Sequence, residues 1–169
     1  MRQTSIMRFF RDPTTIPTNK NIPENTIETA TIKQLVQAPT HTLFFDGCSK
    51  GNPGIAGAGA VLYDGEIEIR CKSQGLGRQT NNYAEYSALI LGLSMALEEG
   101  VARLIVKGDS MLAIKQMRGE YRVKHPAILP LYKETCRLSK MFEYVRYEHV
   151  LREHNQKADE LSNQALREP

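Results

Sequence analysis

The chain has 169 residues, 41% of them hydrophobic and 24% charged, a composition typical of a single soluble globular domain. No apolar stretch approaches the roughly 20 residues needed to cross a bilayer, which excludes a membrane-spanning protein. The three cysteines, Cys48, Cys71 and Cys136, are odd in number and scattered. Since no secretory signal is evident, they predict an intracellular protein with free thiols.

Charge is distributed unevenly along the chain. The net charge is +3, but residues 1–40 carry five basic and three acidic groups, which leaves 17 basic against 16 acidic groups for residues 41–169. The larger part is therefore close to neutral. If it binds nucleic acid, we expect a local site without a broad basic surface.

The first forty residues differ in composition from the rest. Four of the eight prolines fall there, at Pro13, Pro17, Pro23 and Pro39, and the hydrophobic residues show little periodicity. This predicts a flexible N-terminal tail over residues 1–40, followed by a globular domain over residues 41–169. Residues 24–37 are compatible with a short helix, although their threonines disfavour it.

Regular patterning begins at His41. We predict a strand to Asp46, a loop over residues 49–54, a strand over 57–63, a hairpin turn at Asp64-Gly65 and a third strand through Ile67 and Ile69. Further along we predict helices over residues 81–99, 110–117, 127–140 and 155–166, and strands over 103–107 and 142–150. A three-strand meander followed by alternating helices and strands predicts an α/β fold with a mixed sheet.

Four acids stand where the patterning makes a charge unexpected. Asp46 and Asp109 each follow an apolar strand, and Glu85 lies on the apolar stripe of its helix, four residues before Leu89. Taken singly, Asp109 is better explained as a helix N-cap, and Asp159 as an acid that favours a helix N-terminus.

The group as a whole favours a different explanation. The carboxyl ends of neighbouring strands meet at one edge of a sheet, so Asp46 and Asp109 should lie close together, with Glu85 beside them. Buried carboxylates that converge are costly through desolvation and mutual repulsion. A divalent metal ion would offset both costs.

Four blocks of the sequence resemble the signatures of type 1 ribonuclease H, in order and at similar separations across about residues 41–167. They are DGCSKGNPG from Asp46, TNNYAE from Thr80, Gly108-Asp109-Ser110, and Asn155 through Asp159 to Ala165. The resemblance implies a ribonuclease H-like fold: a five-stranded mixed sheet in the order 3-2-1-4-5, with helices on both faces.

The same resemblance implies an activity. It is hydrolysis of the RNA strand of an RNA/DNA hybrid, which leaves 5′-phosphate and 3′-hydroxyl ends. Asp46, Glu85, Asp109 and Asp159 would hold two Mg²⁺ ions, or Mn²⁺ in their place. Gly47, Cys48, Asn52 and Asn82 would contact the RNA-containing substrate, and Thr80 would hold a DNA phosphate. Tight turns and helix capping are alternative roles for the glycines and for Thr80.

The sequence departs from the family pattern in two places. Many members carry a mobile histidine about ten residues before the last acid, but here that loop is short, and either Arg152 or His154 would take the role. His149 has the right spacing but belongs to the preceding strand. The segment of residues 118–126 is too short to contain the basic extra helix of some members. In this respect the chain resembles the shorter archaeal and plant-like branch of the family.

The N-terminal tail contains a further pattern. Gln3, Ile6, Phe9 and Phe10 resemble the box with which proteins bind a sliding clamp (PCNA). A mitochondrial targeting segment is an alternative, because three arginines precede the first acid. An unremarkable tail is another.

We therefore expect a monomeric endoribonuclease of RNA/DNA hybrids that acts in primer or hybrid removal during replication. It would work in the nucleus or at another site of DNA replication if the tail binds a clamp, or in the mitochondrion if the tail is a targeting peptide. Two alternatives are a hybrid-binding module without activity and a nuclease of the same fold that cuts other duplexes.

Overall fold

The structure, a computed structural model, describes residues 38–167. The predicted tail features, including the short helix over residues 24–37 and the clamp-binding pattern, lie outside the described residues. Within residues 38–167, no helix is both long and apolar enough to cross a membrane. The three cysteines are free.

Five strands form one mixed sheet in the order β3-β2-β1-β4-β5, which confirms the predicted order. Strand β2 pairs antiparallel with both β1 and β3. Strand β4 pairs parallel with both β1 and β5. Their bounds are β1 His41–Gly51, β2 Gly54–Asp64, β3 Ile67–Gln79, β4 Arg103–Gly108 and β5 Tyr144–His149.

Helices cover both faces of this sheet. The main core lies between the sheet and α1, where Leu43 and Phe45 of β1 meet Leu89 and Leu93. A smaller cluster of Val61, Ala158 and Leu161 lies between the sheet and α4. The helices are α1 Asn81–Glu98, α2 Met111–Met117, α3 Leu129–Ser139 and α4 Gln156–Ala165, and a 3₁₀ turn over Arg152–His154 precedes α4.

The predicted loop over residues 49–54 is wrong. The strand β1 continues to Gly51 and β2 starts at Gly54, so that only Asn52 and Pro53 connect them. Likewise, β3 continues well past Ile69, to Gln79. These strands are long because β1, β2 and β3 pair along almost their whole length, which satisfies backbone groups that a loop would leave to water.

The glycines of β2 have a packing role that a sequence pattern does not distinguish from a turn. A Cβ atom on Gly57 would lie 2.3 Å from the Ser162 carbonyl oxygen, and one on Gly59 would lie 2.5 Å from the Ser162 nitrogen. Because both positions lack a side chain, α4 packs directly on the strand. That contact fixes Ser162 of α4 beside Asp46, in the middle of β1.

Candidate active site

Two acids lie at the carboxyl edge of the parallel part of the sheet. The parallel pairing of β1 with β4 ends at Phe44 and Lys107, so Asp46 projects just beyond it although β1 itself continues. The strand β4 ends at Gly108, and Asp109 follows directly. The two carboxylates therefore meet where the antiparallel and parallel halves of the sheet separate.

The third acid reaches this edge from α1. Thr80 begins the helix as N-cap, with its side chain accepting from the Tyr83 N–H, and Glu85 follows in the second turn. A Cβ atom at Gly47 would lie 2.1 Å from the Glu85 nitrogen, so only glycine there lets α1 pack this closely against β1. The absence of a side chain at Gly47 thus brings Glu85 to Asp46.

Asp46, Glu85 and Asp109 each offer an oxygen such that all three oxygens lie within 4.8 Å of one another. Asp46 and Glu85 are only 5% and 6% exposed. The pKa of Asp46 is raised to about 6, first by burial and then by the charges of Asp109 and Asp159, although the Ser162 hydrogen bond lowers it. The pKa of Glu85 is raised well above its ordinary value, first by burial and then by the charges of Asp46 and Asp109.

Two polar residues orient these acids, and the sequence analysis assigned no role to either. Ser162 of α4 donates a short hydrogen bond to Asp46 Oδ2. The Asn155 side chain donates to the Phe45 carbonyl oxygen at 2.9 Å and to Asp109 Oδ1 at 3.2 Å. Asn155 lies four residues before Asp159 and Ser162 lies three after it, so the helical spacing places all three on one side of α4. This spacing is a signal from which their role could have been predicted.

Asp159, the fourth predicted ligand, is not part of this group of three. Its Oδ1 accepts from Arg152 at 2.5 Å, and its Oδ2 accepts from Asn163 at 3.2 Å. Arg152 nevertheless lines the same cavity, of about 210 Å³, as Asp46, Glu85 and Asp109. The fourth acid therefore does not line this cavity itself, but its ion-pair partner Arg152 does.

The two candidates for the missing histidine differ in position. Arg152 lines the cavity of the three acids, whereas the His154 ring is exposed and its Nε2 lies 3.6 Å from Glu153. His149, which the sequence placed in a strand, is the last residue of β5. Its Nε2 lies 3.2 Å from the Asp109 carbonyl oxygen, so it helps to hold the backbone of that acid.

The predicted substrate-contacting residues surround the acids. Gly47 and Cys48 line the same 210 Å³ cavity, and Asn82 lines a neighbouring cavity of about 220 Å³ that also includes Glu85. The Asn52 side chain accepts from the Asn81 N–H at 3.2 Å, which ties the β1–β2 connection to the N-terminus of α1. The Thr80 side chain caps the same helix, which confirms the alternative role of Thr80 as a helix cap.

Comparisons with known proteins fit this architecture. A family model described as reverse transcriptase-like matches residues 44–165. The N-terminal ribonuclease H domain of Rv2228c from Mycobacterium tuberculosis is 42% identical with a TM-score of 0.73, covering 75% of this chain and 98% of that one. Ribonuclease H1 from Halobacterium salinarum is 36% identical with a TM-score of 0.74, covering 76% and 98%. The chain belongs to the type 1 ribonuclease H family.

A third structure of the family, LC11 ribonuclease H1 in complex with an RNA/DNA hybrid, is 33% identical with a TM-score of 0.71, covering 75% of this chain and 96% of that one. The curated relatives are longer proteins. Bifunctional protein Rv2228c is 44% identical over 123 residues, which are 72% of this chain but 34% of the relative. For Halobacterium ribonuclease HI, 39% identical over 124 residues, the shares are 73% and 62%.

The three acids of this family member fit a divalent metal ion. Glu85 Oε2 is buried and, among the described residues, has no hydrogen-bond partner. A buried carboxylate oxygen without a donor is unfavourable on its own, but it is an appropriate ligand for a hard cation such as Mg²⁺. A cation would also favour the charged forms of Asp46 and Glu85, whose pKa values are raised.

We predict that Glu85→Gln raises the melting temperature in EDTA by a few degrees, because it removes a buried charge from the cluster. The folded-state pKa of Glu85 is raised above its ordinary value of 4.5, so the folded state keeps a proton that the unfolded chain releases. The free energy of unfolding of the wild-type protein therefore falls as the pH rises from about 4.5 through the raised pKa of the folded state. The gap between variant and wild type should widen with pH in thermal unfolding scans.

In excess Mg²⁺ or Mn²⁺ the order should reverse. A hundredfold excess over the dissociation constant stabilises the wild type by about 2.7 kcal/mol, whereas Glu85→Gln should gain far less. The matched control is Glu98→Gln, which removes an acid of the same helix that pairs with Arg70 and Lys72 on the surface. Its metal-induced gain should equal that of the wild type, and an equal gain in Glu85→Gln would contradict the metal site.

Proposed function

We propose that this protein is an endoribonuclease that hydrolyses the RNA strand of RNA/DNA hybrids with two divalent metal ions. The observation that carries the proposal is the convergence of three carboxylates within 4.8 Å at the carboxyl edge of the sheet, with one buried oxygen lacking a partner. Family membership supports it, because relatives include Halobacterium ribonuclease HI and LC11 ribonuclease H1 solved with a hybrid.

Asp46, Glu85 and Asp109 would hold one ion, and Asp159 with Asp46 would hold the second. Two bound Mg²⁺ or Mn²⁺ ions supply an activated water and stabilisation of the leaving oxygen in an in-line displacement. The protein residues supply the fixed frame. Ser162 and Asn155 keep Asp46 and Asp109 in one orientation, so little reorganisation is required when substrate arrives.

Recognition of the hybrid would use groups on both sides of the acids. Gly47 and Cys48 line the cavity of the acids, and they would contact 2′-hydroxyls of the RNA strand together with Asn52 and Asn82. Thr80 stands at the N-terminus of α1, where the helix dipole would favour a phosphate. The exposed Arg78, two residues earlier on β3, adds a positive charge beside that helix end.

Two alternative functions make different predictions. A hybrid-binding module without activity would tolerate loss of its acids, but this chain retains an acid at all four positions. A nuclease of the same fold acting on double-stranded RNA or DNA would not need polar groups for one RNA strand and one DNA strand. The block from Thr80 to Asn82 and the glycine-rich block from Gly47 favour the hybrid.

We predict that Asp109→Asn lowers hybrid cleavage by roughly a thousandfold or more while the protein remains folded. The measurement uses one labelled RNA strand, paired with DNA or with RNA, and a DNA duplex, in Mg²⁺, Mn²⁺ or EDTA. Only the hybrid with metal should be cut. Asp64→Asn, in the exposed hairpin turn, is the matched control and should keep wild-type turnover. Near wild-type turnover of Asp109→Asn in Mg²⁺ would refute the site.

Arg152 and His154 are distinguished by substitution. We predict that Arg152→Ala lowers turnover by about one to two orders of magnitude and weakens hybrid binding much less, because Arg152 lines the cavity of the acids. His154→Ala should have little effect, since its ring lies beside Glu153. Normal turnover of both variants and of the double variant would show that this turn has no catalytic part.

For the tail, we propose that Gln3, Ile6, Phe9 and Phe10 bind a sliding clamp and recruit the enzyme to replication. These residues lie outside the described part of the chain, so the proposal rests on their pattern and on the nearly neutral charge of residues 41–169. A domain with little basic field holds hybrids weakly, and recruitment raises its local concentration.

A peptide of residues 1–14 should therefore bind the clamp of its host in a calorimetric titration, through the apolar contacts of its aromatic rings. Phe9→Ala with Phe10→Ala should abolish that binding and leave cleavage of a free oligonucleotide hybrid unchanged. A titration without binding, or a mature protein that starts after Phe10, would overturn the clamp proposal. The second result would instead support mitochondrial targeting.

A further inference from the structure

Asp159 differs from the other three acids in how its oxygens are used. Arg152 donates to its Oδ1 at 2.5 Å and Asn163 donates to its Oδ2 at 3.2 Å, so both oxygens have partners. By contrast, Glu85 Oε2 has none. Within the same candidate site, Glu85 has a carboxylate oxygen available to a metal ion, whereas Asp159 already pairs with a cation of the protein, Arg152.

The position of Arg152 makes this cation part of the site. Arg152 opens the 3₁₀ turn between β5 and α4, seven residues before Asp159, and its side chain is 74% exposed. It also lines the cavity of Asp46, Glu85 and Asp109. Its charge therefore interacts with Asp46 and Asp109 and forms a direct ion pair with Asp159.

We propose that Arg152 acts as a tethered counter-ion that occupies the second metal position on Asp159 until substrate arrives. The inference rests on the proposed function, because it concerns the order in which the two ions bind. Without substrate, one ion binds to Asp46, Glu85 and Asp109. Binding of a second ion at Asp159 is opposed by the charge of Arg152 until the guanidinium moves away from Oδ1.

The physical basis is charge repulsion at a shared carboxylate. A divalent ion and a guanidinium repel each other at short range, so Arg152 lowers the affinity of Asp159 for the ion. The ion pair is nevertheless weak enough to break, because an exposed arginine pair gains little in water. A substrate phosphate offers arginine a bidentate partner, which makes it an effective competitor for Arg152. Hybrid binding would thus free Asp159 when it is needed.

The test is a calorimetric titration of Mn²⁺ into the full chain without nucleic acid. We expect the wild type to show one binding event in the range that supports activity. Arg152→Gln, which keeps the side-chain length without the charge, should show a second event or bind the second ion about tenfold more tightly. Arg152→Ala should behave in the same way, which covers the case that one variant fails to fold.

The matched control is Arg137→Gln. It removes the same charge from an arginine that pairs with Glu134 at 2.7 Å on the surface of α3. It should bind Mn²⁺ as the wild type does, so that a change in net charge alone is excluded as the cause. Equal gains in Arg137→Gln and Arg152→Gln would overturn the inference.

A second measurement follows the hybrid. If phosphate removes Arg152 from Asp159, wild type and Arg152→Gln should reach half-maximal cleavage at the same Mn²⁺ concentration, although they differ without substrate. A difference of the same size in both measurements would refute release by substrate. Identical Mn²⁺ titrations of the two proteins, with normal wild-type cleavage, would overturn the counter-ion role and leave the proposed function intact. A wild type that neither binds Mn²⁺ nor cuts hybrid would overturn both.

Discussion

Repulsion among three clustered carboxylates, two of them buried, is the constraint on which the rest of the structure depends. Asp46 lies on β1, Glu85 lies on α1 and Asp109 directly follows β4. Without a cation, they are held together by the packing of these elements and by hydrogen bonds from Ser162 and Asn155. The packing is correspondingly close, since Gly47 lets α1 approach β1 and the glycines of β2 let α4 approach from the other face. The stability of the hydrophobic core is in part used to keep like charges near one another.

The elements of the fold could be derived from the sequence because their signals are local, whereas the strand order was implied by the family resemblance. The apolar runs before Asp46 and Asp109 are readable as strands, although β1 continues past Asp46, and the apolar stripe around Glu85 is readable as a helix face. The glycine-rich segments misled the prediction of loops. A glycine in a turn and a glycine beneath a packed helix look the same in a sequence, and only the position of α4 distinguishes them.

The site could be derived only in part. Its acids were identifiable as charges in apolar surroundings, whereas Ser162 and Asn155 are polar residues on a polar helix and carry no such signal. The pairing of Asp159 with Arg152 depends on the short turn that starts α4 and on the side-chain conformation of an exposed arginine. Neither has a pattern in the sequence, because both follow from the tertiary arrangement.

The direction of β1 places its first residue far from the three acids. The strand begins at His41, which pairs with Leu104 and Asp64, and reaches Asp46 five residues later, about 17 Å further along. The amino end of β1 is therefore remote from the acids. A change at that end of the strand is separated from the carboxylates by several residues of continuous sheet, which leaves room for sequence variation there.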